Sequence, residues 1–176
     1  TECHLSSSNN VFNMDQLDPS TRGVLSLILT KYDGGPKTGI FTDGSCQINP
    51  GKGGWGVVQV SQDEIICEKA GFAEQTTNNR MELVAMIEGL RLLDPKVEYE
   101  IFSDSQLVVN TLNKWAQNWA KLGWKRKTGE IANIELVQEA YALFLDRPLA
   151  KVTWIKAHNG EKWNEYADTL ASLYLR

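Results

Sequence analysis

The sequence predicts an α/β domain centred on a five-stranded mixed sheet with helices on its faces. Three observations carry that prediction. Short apolar runs alternate along the chain with helical stripes of period 3.6. Two of these runs, at residues 40–42 and 97–102, pass almost at once into an acid, Asp43 and Asp104. The first leads through a glycine-rich turn into two more runs close in sequence, which makes strands one to three an antiparallel meander.

The bulk properties set bounds. A chain of 176 residues is the size of one domain and can bury most of its surface. With 42% hydrophobic and 23% charged residues it has the composition of an ordinary globular protein. No apolar run approaches the roughly 20 residues of a bilayer span, and no signal-peptide pattern opens the chain, so no membrane partner is expected. The net charge of −4 does not by itself suggest a nucleic-acid partner, and local patches must decide. Cys3, Cys46 and Cys67 are scattered and odd in number. That argues against a structural zinc site and favours the cytoplasm or another reducing compartment.

Taken in order, residues 1–13 are polar and Ser/Asn-rich and read as a mobile tail. Asp18-Pro19 is a helix start, an N-cap acid followed by proline, and the helix carries Val24, Leu25, Leu27 and Ile28. Asp33-Gly34-Gly35-Pro36 ends it and divides the chain into 1–36, a tail with an extra helix, and 37–176, the main domain. Strand one is 40–42. Gly44 and Gly51 read as supplying backbone freedom for the bend after Asp43. Gly53-Gly54-Trp55-Gly56 opens strand two, 57–60, which Ser61-Gln62-Asp63 joins to strand three, 64–71. Thr77 caps a helix to about residue 93 with Leu83, Ile87 and Leu90 on one stripe, and Asp94-Pro95 stops it. Strand four is 97–102, followed by a helix from Ser105 that buries Val108 and Leu112. Asn133 caps a helix with Val137, Tyr141 and Phe144 inward. Strand five is 151–155, and a last helix runs over 161–175.

Asp43 and Asp104 stand at the carboxyl ends of strands, where open α/β sheets bind ligands. Asp104 also suits a helix N-cap, a role less natural for Asp43, which is followed by a second strand. Glu82 and Asp168 lie on helices, where an acid is ordinarily a solvated charge. Together the four could form a cage of hard oxygen ligands of the kind that binds Mg²⁺. Left without a cation, their repulsion would drive protons onto one or more of them. Such a cage suits two-metal phosphodiester hydrolysis.

TDGSCQINPGKGGWG (42–56), TTNNRMEL (76–83), SDSQLV (103–108), NKWAQNWAKLGWK (113–125) and TWIKAHNGEKWNEYADTLA (153–171) occur in an order and at spacings that match a known family. From Lys37 onward the chain resembles a type 1 ribonuclease H of the cellular bacterial or eukaryotic kind. The resemblance implies a ribonuclease H-like fold and hydrolysis of the RNA strand of RNA–DNA hybrids, leaving 5′-phosphate and 3′-hydroxyl ends. It implies two Mg²⁺ ions, with Mn²⁺ as a substitute, on Asp43, Glu82, Asp104 and Asp168, and a mobile-loop histidine at His158. The residue before that histidine, commonly glycine in the family, is Ala157. A hybrid partner and a monomer are the expected state.

Substrate contacts divide into two sets. Lys114, Lys121, Lys125, Arg126 and Lys127 form an acid-free basic stretch interleaved with Trp115, Trp119 and Trp124, suited to a phosphate backbone. In the family it corresponds to a basic protrusion that grips the DNA strand. Trp115 and Trp119, at i, i+4, are expected to pack inward, and Trp124 to meet the substrate. Asn49, Asn78, Asn79 and Gln106 are amides near the acids that can read base edges or a 2′-hydroxyl, with turn and cap roles competing at Asn49 and Asn78. Thr77 and Asn133 match a phosphate-binding pocket of eukaryotic relatives, where an arginine is replaced here by Gln75. The alternatives are a transposase- or integrase-like strand-transfer enzyme, the ribonuclease H domain of a reverse transcriptase, and a non-catalytic hybrid-binding module.

Overall fold

Pairing of the first strand in both directions organises the architecture. The computed structural model describes residues 10–176. Its sheet has the order β3-β2-β1-β4-β5, with β1 Gly39–Ser45, β2 Gly51–Ser61, β3 Glu64–Thr76, β4 Tyr99–Ser103 and β5 Ala150–Trp154. β1, β2 and β3 pair antiparallel, whereas β1–β4 and β4–β5 are parallel. The expected five-stranded mixed sheet with an antiparallel meander is therefore observed. In the parallel register Thr42 faces Ser103, so Asp43 and Asp104 are each the next residue along adjacent strands.

Alternation along β1 sends Ile40 and Phe41 to opposite faces and into two cores. On one face Ile40, Val57 and Ile101 meet Leu83, Met86, Ile87 and Leu90 of α2 (Asn78–Leu92). The same core takes Val108, Leu112, Val137 and Tyr141 from α3 (Gln106–Asn110), the turn after it, and α5 (Ile134–Leu145). On the other face Phe41, Val58 and Phe102 pack with Trp163, Tyr166 and Leu170 of α6 (Lys162–Ala171), and with Leu25 of α1 (Pro19–Lys31). α1 starts as its sequence dictates: the Asp18 carboxylate accepts the Thr21 N–H at 2.7 Å. It is tied to the sheet and to α6 through Glu68, which accepts from Arg22 at 2.8 Å and from the Tyr166 hydroxyl at 2.9 Å.

Several boundaries depart from the sequence reading. β2 begins at Gly51, so the glycine run expected to open it is itself extended strand. Strand propensity penalises glycine, but here a Cβ on Gly54 would lie 2.4 Å from Ala171 O, and one on Gly56 2.7 Å from Ala171 N. The bare backbone lets α6 sit directly on β2. The helix expected after Ser105 is α3, which passes into a π turn over Thr111–Trp115 in which Ala116 N–H reaches Thr111 O, and the basic stretch that follows opens with a further helix, α4 (Ala116–Lys121). The last helix stops at Ala171, and a 3₁₀ turn, Leu173–Leu175, follows.

The expected mobile tail lies outside the described residues over 1–9. Its remainder is not loose. Phe12 N–H donates to Ala70 O at 2.9 Å and Phe72 N–H to Asn10 O at 3.0 Å, adding a short segment to the exposed edge of β3. No helix of the described residues is long and apolar enough to cross a membrane. Cys46 is a buried free thiol, whereas Cys67 is disulfide-bonded, so cysteine usage does not by itself argue for a reducing compartment.

Because Gly56 meets backbone atoms of α6, Gly56→Ala is expected to destabilise the protein by about 1–3 kcal/mol through overpacking. Denaturant unfolding measures this, and an unchanged midpoint would mean that α6 is not seated on β2 as described.

Candidate active site

Three elements deliver carboxylates to one point. Asp43 is on β1 and 3% exposed, Asp104 directly follows β4, and Glu82 lies one turn into α2. One oxygen from each lies within 4.8 Å of the others. The approach of α2 depends on Gly44. A Cβ there would stand 2.3 Å from Glu82 N and 2.4 Å from Met81 C. Gly44 lies in extended strand opposite Trp55 and Gly51 opens β2, and neither has positive φ. Gly44 is thus required for close approach and not, as the sequence suggests, for a bend.

The cluster is short of partners. Asp43 Oδ1 accepts the Gly44 N–H at 3.0 Å, and Glu82 Oε2 is buried with no hydrogen-bond partner. Burial, then the charges of Glu82 and Asp104, holds the Asp43 carboxyl well above the usual carboxylate range. Burial, then Asp104, pushes Glu82 up to about 8. Burial, then Asp168, raises Asp104.

Asp168 stands next to this trio and groups with His158 and Glu165, whose ligand atoms lie within 4.8 Å of one another. His158 Nδ1 is 3.8 Å from Glu165 Oε1, and its side chain is 74% exposed. Sequence reasoning misses Glu165 as a site residue. A signal for it exists: it precedes Asp168 by three residues and so shares a helix face with it. Asn164, beside it, is buried with Oδ1 unpartnered.

The amides are partly committed to structure. Asn78 Oδ1 accepts the Cys46 N–H at 2.7 Å, and Asn49 Oδ1 accepts the Asn78 N–H at 3.2 Å, which ties the β1–β2 loop to the start of α2. Thr77 Oγ1 accepts the Arg80 N–H at 3.2 Å and caps α2 as expected. Asn133 precedes α5, but its side chain makes no cap bond and instead accepts from Arg80 Nη1 at 3.3 Å. Its backbone is left-handed, with φ 56°, a conformation asparagine tolerates. Asn79 and Gln106 are exposed at the starts of α2 and α3.

An open groove of ≈ 450 Å³ runs beside Asn79, Trp115, Trp119, Arg126 and Asn133. Of the three tryptophans, Trp119 and Trp124 are partly buried against the core, as expected for Trp119, whereas Trp115 is the more exposed. Trp115 is 37% exposed and lines the groove with Trp119, their ring centroids 6.2 Å apart, while Trp124 makes a T-shaped contact with Tyr141 and lines a neighbouring pocket with Lys125 and Arg126. The i, i+4 spacing correctly pairs Trp115 with Trp119 but cannot say which side of the helix is covered. Lys121 and Lys125 are exposed on the same protrusion.

Each member of the carboxylate trio has a folded pKa above its unfolded one, so the folded chain holds the extra protons. The stability this supplies is complete below the ordinary carboxylate range and is lost as pH rises toward about 8, the value for Glu82. In chelator, Tm is expected to fall over this interval by about 2–4 °C for each kcal/mol of stability removed, and Asp104→Asn to flatten the fall. Parallel wild-type and variant melts across pH would overturn this.

The geometry can be set beside known proteins. The RNase H family profile matches residues 36–175. The ribonuclease H of Hahella chejuensis is 42% identical over 140 residues, covering 76% of this chain and 90% of the relative. That of Campylobacter curvus is 45% identical over 137 residues, covering 75% and 88%. The crystal structure of LC9-RNase H1, a type 1 RNase H with the type 2 active-site motif, superposes with a TM-score of 0.63 at 31% identity, covering 79% of this chain and 72% of that one. Sequence match and sheet topology agree: the chain belongs to the ribonuclease H family, the enzymes that hydrolyse RNA in RNA–DNA hybrids.

Proposed function

We propose that this chain cuts the RNA strand of RNA–DNA hybrids endonucleolytically with two Mg²⁺ ions, leaving 5′-phosphate and 3′-hydroxyl ends. The observation that carries the reading is the trio Asp43, Glu82 and Asp104, whose ligand atoms lie within 4.8 Å, with one buried Glu82 oxygen left unpartnered. The donor set is all hard oxygen, which fits Mg²⁺, with Mn²⁺ as a substitute. Asp43, Glu82, Asp104 and Asp168 would hold the ions. The chemistry these supply when bound is activation of water and neutralisation of charge on the leaving 3′-oxygen.

The remaining work falls to side chains. His158, exposed at a loop tip 3.8 Å from Glu165, can carry a proton between solvent and the carboxylates. Asn49 and Asn78 use their carboxamide oxygens within the protein, and their Nδ2 donors, with Asn79 and Gln106, are available to the RNA minor groove and its 2′-hydroxyls. The groove lined by Trp115 and Trp119 suits the DNA strand, with Lys121 and Lys125 near its phosphates and Thr77 and Asn133 beside a more distant one. A monomer suffices for this arrangement, since every group named comes from one chain.

Labelled hybrid, double-stranded RNA and double-stranded DNA, each with Mg²⁺ or EDTA, test the proposal. Only the RNA of the hybrid should be cut, only with Mg²⁺, and Asp43→Asn should reduce cutting to the EDTA level. Cleavage of either homoduplex at the hybrid's rate, or an active Asp43→Asn, would sink it. Hybrid binding without cutting in Mg²⁺ would point to a binding module. Neutralising Lys121, Lys125 and Lys127 should also lower the salt slope of hybrid binding by about 0.7–0.9 for each phosphate that no longer meets a cation. An unchanged slope would remove the protrusion from the interface.

A further inference from the structure

The loop that carries His158 is anchored at both ends, and only one anchor belongs to the catalytic strands. At its start Ile155 N–H donates to Ser103 O at 3.0 Å, and Trp154 Nε1 donates to Asp104 O at 3.2 Å. At its far end the chain enters α6 at Glu161, whose side chain makes no cap bond.

Two distant segments grip that far end. Lys162 N–H donates to Gly34 O at 2.9 Å, in a parallel bridge between Gly34 and Glu161. The fit is close: a Cβ on Gly34 would lie 3.0 Å from Gly160 O, and one on Gly35 2.8 Å from Glu161 Cβ. From the β2–β3 turn, Asp63 Oδ2 accepts from Lys162 Nζ and Oδ1 from Trp163 Nε1, both at 2.8 Å. Asp63 is fixed in turn by its own N–H, which donates to Lys37 O at 2.7 Å. Lys162 and Trp163 are buried beneath these contacts. The Lys162 ammonium, followed by the Trp163 indole, holds the Asp63 carboxyl below the usual range, so it stays charged.

Asp63 cannot touch the reacting groups. It sits beyond the Gly39–Val60 pair, whereas Asp43 pairs with Gly56 near the other end of β1. Four residues of strand separate those levels, about 13 Å. Gly34 and Gly35 precede the family-matched residues 36–175.

We propose that Asp63 is a positioning residue for catalysis: with Gly34 it clamps the far root of the His158 loop, keeping His158 within reach of Glu165 and Asp168. The inference rests on the hydrolase reading above. A loop held only at Ser103 would let His158 leave Glu165. With both roots fixed, its excursion is confined to the residues between Ile155 and Glu161.

Asp63→Asn is the informative variant. Asparagine keeps an acceptor for Trp163, tolerates the φ of 67° at this position, and removes the nearer charge facing Lys162, leaving the exposed Asp33 at 4.0 Å. On a labelled RNA–DNA hybrid with Mg²⁺, kcat should fall about 10-fold with KM unchanged, inside the roughly 10²-fold that a misplacement of about 1 Å can cost. In a His158→Ala background the same change should have no further effect, because it acts through that histidine. Hydrogen exchange across residues 156–161 should rise in Asp63→Asn whatever the activity. Wild-type kcat, a KM-only effect, effects that multiply with His158→Ala, or unchanged exchange would each overturn the clamp. A wild-type chain that cuts no hybrid while exchange responds as expected would instead fail the hydrolase reading and leave the clamp standing.

Discussion

Parallel pairing of β1 with β4 forces two carboxylates into adjacent positions at the edge of a dry core. The Thr42–Ser103 register fixes this, because Asp43 and Asp104 are the next residues on neighbouring strands. Neither can move away without breaking the central pairing of the sheet. Once Glu82 enters from α2, three acids share a region where burial already opposes ionisation. A protein shaped for stability alone would not keep such a cluster. Its protons or its cations must offset the repulsion, and this demand shapes what surrounds it.

The surroundings answer with close backbone approach rather than with cationic side chains. Among the described residues no ion pair neutralises Asp43, Glu82 or Asp104. Gly44 lets α2 lie against β1 so that Glu82 reaches Asp43, while Gly54 and Gly56 let α6 lie on β2 and carry Asp168 to the same edge. Bringing acids together without salt bridges leaves coordination sites open, the condition a divalent cation needs. The arginines and lysines are used elsewhere, as in the Arg80 contact with Glu135 and the Lys162 contact with Asp63.

Around this rigid centre the substrate-facing parts are held by polar ties of modest individual strength. Asn49 and Asn78 join the β1–β2 loop to α2, and the Tyr174 hydroxyl accepts the Gln47 N–H at 3.0 Å from the opposite side. The π turn at Thr111–Trp115 leads into α4, and Trp115 and Trp119 line the groove beside it, with Trp119 also packed on the core. The His158 loop is suspended between the active-site strand and the junction of Gly34, Asp63 and Lys162, which couples the region before the family-matched residues to the loop.

The sequence by itself determined the order and type of the main elements, the pairing of acids with strand ends, and the family. These are local signals: apolar periodicity, the Asp18-Pro19 and Thr77 caps, and motif spacings that survive without three-dimensional information. Asp43, Glu82 and Asp104 could be grouped because strand ends and helix starts are legible one segment at a time. Tertiary structure decided what depends on two segments meeting. Gly44 reads as a turn residue until α2 is seen 2.3 Å from where its Cβ would be. Glu165 reads as a surface acid until α6 is found on the sheet with that face turned toward His158. Asn133 reads as a helix cap until Arg80 claims its side chain. In each case the residue type permits several roles, and only the distant neighbour that arrives beside it selects one.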